Sequence, residues 1–157
     1  MFHDQDLWPV AVHEAAHLVA GWMLGLEIRG VEIHDEGGHS HITFSRGRLR
    51  DYLVTLLAGE VAEEEVFGRQ VLPRVHAGSD RERLYLAVAR AGPAGQQELF
   101  VARQKVKKLV HTHRGAIIRL ATELLAIATD AGLVMDGERL AGLLDADGSA
   151  ILRRAAV

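Results

Sequence analysis

The segment His13-Glu14-Ala15-Ala16-His17 contains the residue types that a zinc hydrolase needs, at the spacing of one helical turn. On a helix, side chains four residues apart share one face, so His13 and His17 can offer two neutral imidazoles to one ion. Zinc lowers the pKa of a bound water and polarises a carbonyl oxygen. Glu14 can accept a proton from that water as a general base. The pattern therefore predicts zinc-dependent hydrolysis of a peptide bond.

A third protein ligand must come from elsewhere in the chain, because a catalytic zinc is typically held by three side chains and keeps one position open. The sequence has no cysteine, so the ligand must be His, Asp or Glu. No His-x-x-Gly-x-x-His segment follows, which argues against a metzincin. The candidates are Asp80, His76 and the acidic group of Glu60, Glu63, Glu64 and Glu65. An alternative for the whole motif is a helix end with hydrogen-bonded surface His and Glu.

Several predicted elements would position these residues. An apolar helix is expected from Trp8 to Leu24, with Pro9 in its first turn, and it contains the motif. Alternating residues around an Asp-Glu-Gly-Gly turn predict a β-hairpin. Ser79, with Glu82 three residues later, is typical of a helix start. The expected strands are 28–34 and 39–45. A helix is expected at 49–67, followed by a loop at 69–78. Three further helices are expected from 79 to about 91, at 96–130 with a bend at Gly115, and at 136–144.

Composition and charge favour one mainly helical domain of residues 1–157. Hydrophobic residues make up 48% of the chain and aromatic residues only 5%, so Leu, Val and Ala must form most of the core. The formal net charge is -3, with no basic cluster of the kind that binds nucleic acid. Polar residues of the motif interrupt the first apolar segment, so neither a signal peptide nor a membrane span is expected. We therefore expect a cytoplasmic protein.

The order of these segments resembles the M41 peptidase domain of the FtsH-type, membrane-bound, ATP-dependent bacterial proteases. In that family, a HEAGH helix precedes a hairpin, a helix of the pattern LxGRxAEExxFG and a TGAxxD segment. The chain has LAGEVAEEEVFG at 57–68 and AGSDRER at 77–83. Its segments at 113–125 and 136–140 are similar to the family's HR…LAxxLL and DGEEI patterns. The resemblance extends from about residue 10 to residue 144.

The resemblance implies a zincin-like, α-helical metallopeptidase domain with a small β-hairpin or sheet beside the active-site helix. It implies Zn²⁺ as the cofactor, with His13, His17 and Asp80 as ligands and Glu14 as the catalytic base. For Asp80, the alternative role is stabilisation of a helix dipole from the first turn. The family's ATPase module and membrane anchors have no counterpart in the sequence, which lacks a GxxxxGK[ST] phosphate loop. Ala16 and Glu60 also depart from the family's usual Gly and Arg.

Other polar residues are candidates for supporting roles. Glu63 or Glu64 could accept a hydrogen bond from a ligating histidine, although a solvated acidic face would also explain them. His76 could stabilise an oxyanion, or be a simple loop residue. His111 and His113 are expected at a surface or interface on the long helix. His34, His39 and His41 cluster near the hairpin turn, where they could bind a second metal or simply be solvated.

Two functions compete at this point. One is a zinc endopeptidase that acts on peptides or unfolded proteins, which would add to the strand at 39–45 by backbone pairing. A separate ATPase or adaptor could deliver the substrate. The protein could also form a homo-oligomer. The other is a non-catalytic zinc-containing module that binds a peptide or a protein partner. Such a module has no need of Glu14, and this favours the enzyme.

Overall fold

The computed structural model of the chain describes residues 4–44, 47–72 and 74–146. These ranges are mainly helical and contain a small antiparallel sheet, which confirms the predicted mainly α fold. In chain order, the elements are α1 (Asp4–Met23), β1 (Glu27–His34), β2 (Gly37–Thr43), α2 (Leu49–Phe67), α3 (Arg74–Arg90), α4 (Pro93–Ile127), β3 (Leu133–Asp136) and α5 (Gly137–Ala146).

Helix α1 is central, since it packs against α2, α4 and both hairpin strands. Every residue from 10 to 21 is buried, so this helix has no solvated face over three turns. Small side chains such as Ala11, Ala15 and Ala16 are fully covered and allow neighbouring elements to approach closely. The helix begins at Asp4, four residues before the predicted start, so Pro9 lies beyond its first turn. Polar side chains on α1 must therefore find partners inside the protein.

The predicted hairpin is confirmed, and it forms part of a three-stranded sheet of order β2-β1-β3. β1 pairs antiparallel with β2 from Glu27 opposite Thr43 to His34 opposite Gly37, with a register shift between Ile28 and Gly30. β3 was not predicted, and it pairs antiparallel with the other side of β1. Among the described residues, β2 has a strand neighbour on one side only, so its second side is an open edge. Ser45, the predicted end of this strand, lies outside the described residues.

The predicted start of α3 is wrong, because the helix begins at Arg74 and not at Ser79. Residues 74–78 are therefore helical rather than a loop, and Ser79 is not an N-cap. Gly78 and Ser79 are weak helix formers, but packing of α3 against α2 and α4 outweighs such propensities. Asp80 consequently lies in the second turn of α3. Since the dipole effect fades within the first turn, the dipole role for Asp80 loses its basis.

The C-terminal half follows the predicted order of elements, with shifted boundaries. α4 is 35 residues long and starts three residues earlier than expected. Its backbone departs from helical geometry at His113 (φ -104°, ψ 16°), two residues before the predicted bend at Gly115. α5 begins after Asp136, whose Oδ1 accepts the backbone N–H of Arg139 and so caps the helix. Among the described helices, none combines the length and apolar composition that a bilayer crossing requires.

Candidate metal centre

Three side chains from two helices converge at one point. His13 and His17 extend from α1, and Asp80 extends from α3. The Oδ2 atom of Asp80 lies 3.3 Å from His13 Nε2 and 3.1 Å from His17 Nε2. The three potential metal-ligand atoms lie within 4.8 Å of one another. In the described ranges, no other trio of His, Asp or Glu side chains meets this condition. The helical spacing of the two histidines thus places them together, and the fold adds Asp80.

The separations of these atoms fit a zinc ion. Ligand atoms about 2.0–2.1 Å from a tetrahedral zinc are separated from one another by about 3.3 Å. The distances of 3.3 and 3.1 Å between the imidazole nitrogens and the Asp80 oxygen match that value. Two imidazoles and one carboxylate are also a ligand set that zinc accepts, with a fourth position left for water.

Hydrogen bonds on the far side of each ring fix which nitrogen can bind a metal. His17 Nδ1 lies 2.6 Å from the backbone oxygen of Thr55, which can only accept, so Nδ1 carries the proton. His13 Nδ1 lies 2.6 Å from Oε1 of Glu63, an acceptor, so Nδ1 of this ring also carries a proton. In the neutral rings, both Nε2 atoms then present lone pairs toward Asp80, itself an acceptor. Three acceptors that face one another need either protons on the rings or a metal cation between them.

The electrostatics of the site favour positive charge at this point. Burial disfavours the imidazolium form of His13, but its hydrogen bonds to Asp80 and Glu63 raise its pKa to about 10. Burial also opposes charge on His17, yet the Asp80 carboxylate raises its pKa. The two rings in turn hold the pKa of Asp80 well below its usual range, against the effect of burial. The ring centroids are 4.7 Å apart, so two imidazolium ions would repel each other, whereas one divalent cation satisfies both rings.

Glu63 on α2 supports His13 from the protein interior. Its side chain is only 1% exposed, and its second oxygen accepts the backbone N–H groups of Val71 and Leu72 at 2.7 and 2.9 Å. Burial raises the pKa of Glu63, but the hydrogen bonds from His13 and Leu72 outweigh it and lower the pKa. A carboxylate in this position fixes the orientation of the ring and its proton. The structure therefore brings Glu63, and not Glu64, to the histidine.

The acidic candidates for a third ligand, Glu60, Glu64 and Glu65, have other partners. Glu60 pairs with Arg81, and Glu64 accepts a hydrogen bond from Gln70 at 3.1 Å. Glu65 lies 2.8 Å from Nδ1 of the exposed His111. The backbone of His76 belongs to α3, and its side chain lies outside the described part of the chain.

Glu14 is buried next to these three side chains but is not one of the group. Ser40 on β2 donates a hydrogen bond of 2.6 Å from its hydroxyl to Oε2 of Glu14. The neighbouring Gly38 permits this approach, because a Cβ atom there would lie 2.6 Å from Glu14 Cγ. Neither Ser40 nor Gly38 carried a recognisable signal in the sequence. β2 thus holds the carboxylate of the predicted base in place.

A cleft of about 370 Å³ opens beside the centre. All seven residues from 38 to 44 line it, and since alternate residues of a strand point to opposite faces, the cleft must follow the open edge of β2. The other lining residues are Glu14, His17, Arg29, Tyr52, Thr55, Leu56, Ser79, Asp80 and Arg83.

Comparison with known proteins adds no assignment to this geometry. No protein-family model matches the chain, and no curated protein sequence matches it significantly.

The hairpin histidines do not form a second metal centre in the described structure. The rings of His39 and His41 are in contact, with centroids 4.4 Å apart, and His41 Nε2 lies 3.6 Å from a carboxylate oxygen of Glu32. Among the described residues, these side chains and His34 do not form a group of three potential metal ligands. On α4, Nδ1 of His113 is buried without a hydrogen-bond partner, and burial lowers the pKa of this ring.

Proposed function

We propose that the chain is a zinc-dependent metalloendopeptidase, with His13, His17 and Asp80 as ligands and Glu14 as general base. The observation that carries this proposal is the convergence of two Nε2 lone pairs and one carboxylate oxygen at 3.1–3.3 Å. Their partners Glu63 and Thr55 already occupy the other ring nitrogens. Without a metal, protons on the two rings must balance the Asp80 carboxylate, and a zinc ion would take their place.

The side chains around the centre have separate roles in peptide hydrolysis. When bound, zinc would lower the pKa of a water and polarise the scissile carbonyl. The Glu14 carboxylate would act as the general base that takes a proton from the attacking water and returns it to the leaving amine nitrogen. The Ser40 hydroxyl keeps this carboxylate on the cleft side of α1. The open edge of β2 offers backbone N–H and C=O groups to an extended substrate, which pairs as an added strand.

The resemblance to M41 peptidase domains supports the same function and a zincin-like fold. A helix with the two histidines, an antiparallel sheet beside it and an aspartate from a later helix occur in the expected order. Backbone pairing reads little of the side-chain sequence, so we propose peptides and unfolded proteins as substrates. Folded substrates would need a separate ATPase or adaptor, and homo-oligomers are part of the same proposal. The lack of cysteine agrees with a cytoplasmic location.

The test combines zinc content with cleavage of an unfolded protein. Glu14→Gln should keep one bound zinc and lose roughly 10²- to 10⁴-fold in cleavage rate, because only proton transfer is removed. Asp80→Ala should lose zinc and activity together. Glu64→Gln is the matched control, since its carboxylate lies on the outer side of α2 with Gln70, and it should keep both.

Two results would contradict the proposal. If the wild-type protein binds no zinc in the presence of an excess, the proposed metal centre is wrong. A wild-type protein that binds zinc but cleaves none of several unfolded substrates would instead indicate the non-catalytic binding module.

A further inference from the structure

Arg83 lies one helical turn beyond Asp80 and lines the same cleft. Residues three apart share a face of a helix, with their Cβ atoms about 5–6 Å apart. Arg83 therefore extends from the same face of α3 as Asp80, at the wall of the cleft. Arg81, two residues earlier, pairs with Glu60, whereas no described carboxylate forms an ion pair with Arg83. An exposed cation without an ion-pair partner among the described residues thus stands at the wall of the proposed substrate cleft.

His39 on β2 lines the same cleft as Arg83. Burial lowers the pKa of His39, and the positive charge of Arg83 lowers it further. The guanidinium group is therefore within electrostatic reach of this ring. A neutral imidazole keeps one N–H donor, so His39 can add a hydrogen bond to a ligand of Arg83 without needing charge of its own.

The other charged groups in the cleft are already engaged. The Asp80 carboxylate faces the two ligand histidines, and Glu14 accepts the Ser40 hydroxyl. Arg29, on the far side of β2, has Glu27 as an ion-pair partner at 3.3 Å. An incoming carboxylate would consequently meet a free cation, while an incoming Lys or Arg side chain would meet like charge.

We propose that Arg83 and His39 form a carboxylate-binding subsite beside the metal centre, so that preferred substrates carry a carboxylate near the scissile bond. This rests on the proposed peptidase function. A guanidinium group binds a carboxylate through two parallel N–H donors, which is stronger and more directional than a single neutral hydrogen bond. The carboxylate comes from an Asp or Glu side chain or from the C-terminus of a peptide, since both present the same planar group.

The test measures peptide binding to the zinc-loaded Glu14→Gln variant, in which bound peptides stay intact. A peptide series carries Glu, Gln or Lys at each position in turn, and each member is made with a free and with an amidated C-terminus. We expect a carboxylate peptide to bind roughly 10- to 100-fold more tightly than its neutral counterpart. Preference for Glu at one position identifies a side-chain carboxylate, and loss of affinity on amidation identifies the C-terminus.

Charge reversal then assigns the preference to Arg83. Adding Arg83→Glu should abolish the preference for a carboxylate and favour the Lys peptides. Arg90→Glu is the matched control, because Arg90 is exposed on α3 and does not line the cleft, and it should keep the original order. If the Arg83→Glu variant kept the same order of peptide affinities as its parent, the proposed subsite would be wrong.

The two proposals fail separately in these measurements. Cleavage by the wild type without any charge preference in binding would remove the subsite and keep the peptidase. A carboxylate preference that depends on Arg83 in a protein that never cleaves would keep the subsite and remove the catalytic role.

Discussion

At the scale of single residues, the metal centre depends on how closely the backbone of α2 approaches the His13 ring. A Cβ atom at Gly59 would lie 2.4 Å from His13 Nε2 and 2.5 Å from its Cε1. The ring cannot easily move away, because Nδ1 is held by Glu63 at 2.6 Å. Glycine at position 59 is thus a condition for the ligand geometry, although it has no polar side chain.

We predict that Gly59→Ala weakens zinc binding by roughly 10- to 100-fold, the range seen when the support of a ligand is disturbed. The added methyl should also lower the free energy of unfolding by about 1–3 kcal/mol through overpacking. Chelator-competition titrations and denaturant unfolding measure the two effects. Gly115→Ala is the control, because no atom lies within 4 Å of its Cβ position, and it should stabilise α4 by about 0.5–1 kcal/mol. Unchanged zinc affinity in Gly59→Ala would argue against His13 as a ligand.

At the scale of elements, one face of α2 supports both histidines of α1. Thr55, Gly59 and Glu63 are spaced four residues apart and lie on the same side of the helix. The backbone oxygen of Thr55 accepts a hydrogen bond from His17, and the Glu63 carboxylate accepts one from His13. Gly59, between them, leaves room for the His13 ring. α2 therefore orients two rings that are attached to another helix, and its own position must be fixed.

The N-terminal turn of α2 is anchored by Asp51, and this gives a pH-dependent prediction. Burial raises the pKa of Asp51, but hydrogen bonds from Lys105 and Arg48 outweigh it, so the pKa falls below 3.8. A carboxylate with a lowered pKa in the folded protein stabilises it fully above the unfolded value, and this stability is lost as the pH falls through the folded value. Asp51→Asn should therefore lower the free energy of unfolding by up to about 1 kcal/mol at pH 7.

Urea unfolding at several pH values checks this prediction for Asp51. The difference between wild type and Asp51→Asn should shrink below pH 4 and should also decrease in about 1 M salt, which screens partly exposed ion pairs. A difference that stays constant from pH 7 to pH 2 would show that the charge of Asp51 does not anchor α2.

The same elements explain which features the sequence could predict. The continuous apolar segment located α1 to within four residues, apolar periodicity located α2, and alternation around the glycine turn located the hairpin. β3 was missed because only Leu133 and Met135 of its four residues are buried, which is too short a pattern to recognise. The start of α3 was missed because Ser79 and Glu82 fit a cap and also fit an ordinary helical turn.

The site divides in the same way. The spacing of His13 and His17 predicts their shared face, because it depends only on helical geometry. Asp80 lies 63 residues from His17 in sequence and meets it through tertiary packing. Residue types therefore gave Asp80 only as one of several candidates, and the ordered resemblance singled it out. The contacts of Ser40 and Gly59 depend on how β2 and α2 pack on α1, and local patterns do not encode such distances.

At the scale of the whole molecule, a metal ion would join parts of the chain that are otherwise unequally secured. α1 is buried over three turns, whereas α3 has only Leu84 and Val88 buried among its described side chains. Asp80 is the contact of α3 with both histidines of α1. Coordination would therefore stabilise α3 more than any other part of the described structure.

We predict that zinc stabilises the wild-type protein and that its removal loosens α3 first. Binding to the folded state alone adds about 4 kcal/mol at a free zinc concentration of 1,000 times Kd, which corresponds to a rise in Tm of roughly 8–16 °C. Hydrogen exchange should show faster exchange of α3 amides after chelation, while α1 stays protected. Asp80→Ala should lose most of the zinc-dependent rise, and His111→Ala, which removes an exposed imidazole, should keep it. Equal Tm values with and without zinc, or faster exchange spread evenly over all helices, would mean that no ion joins α1 to α3.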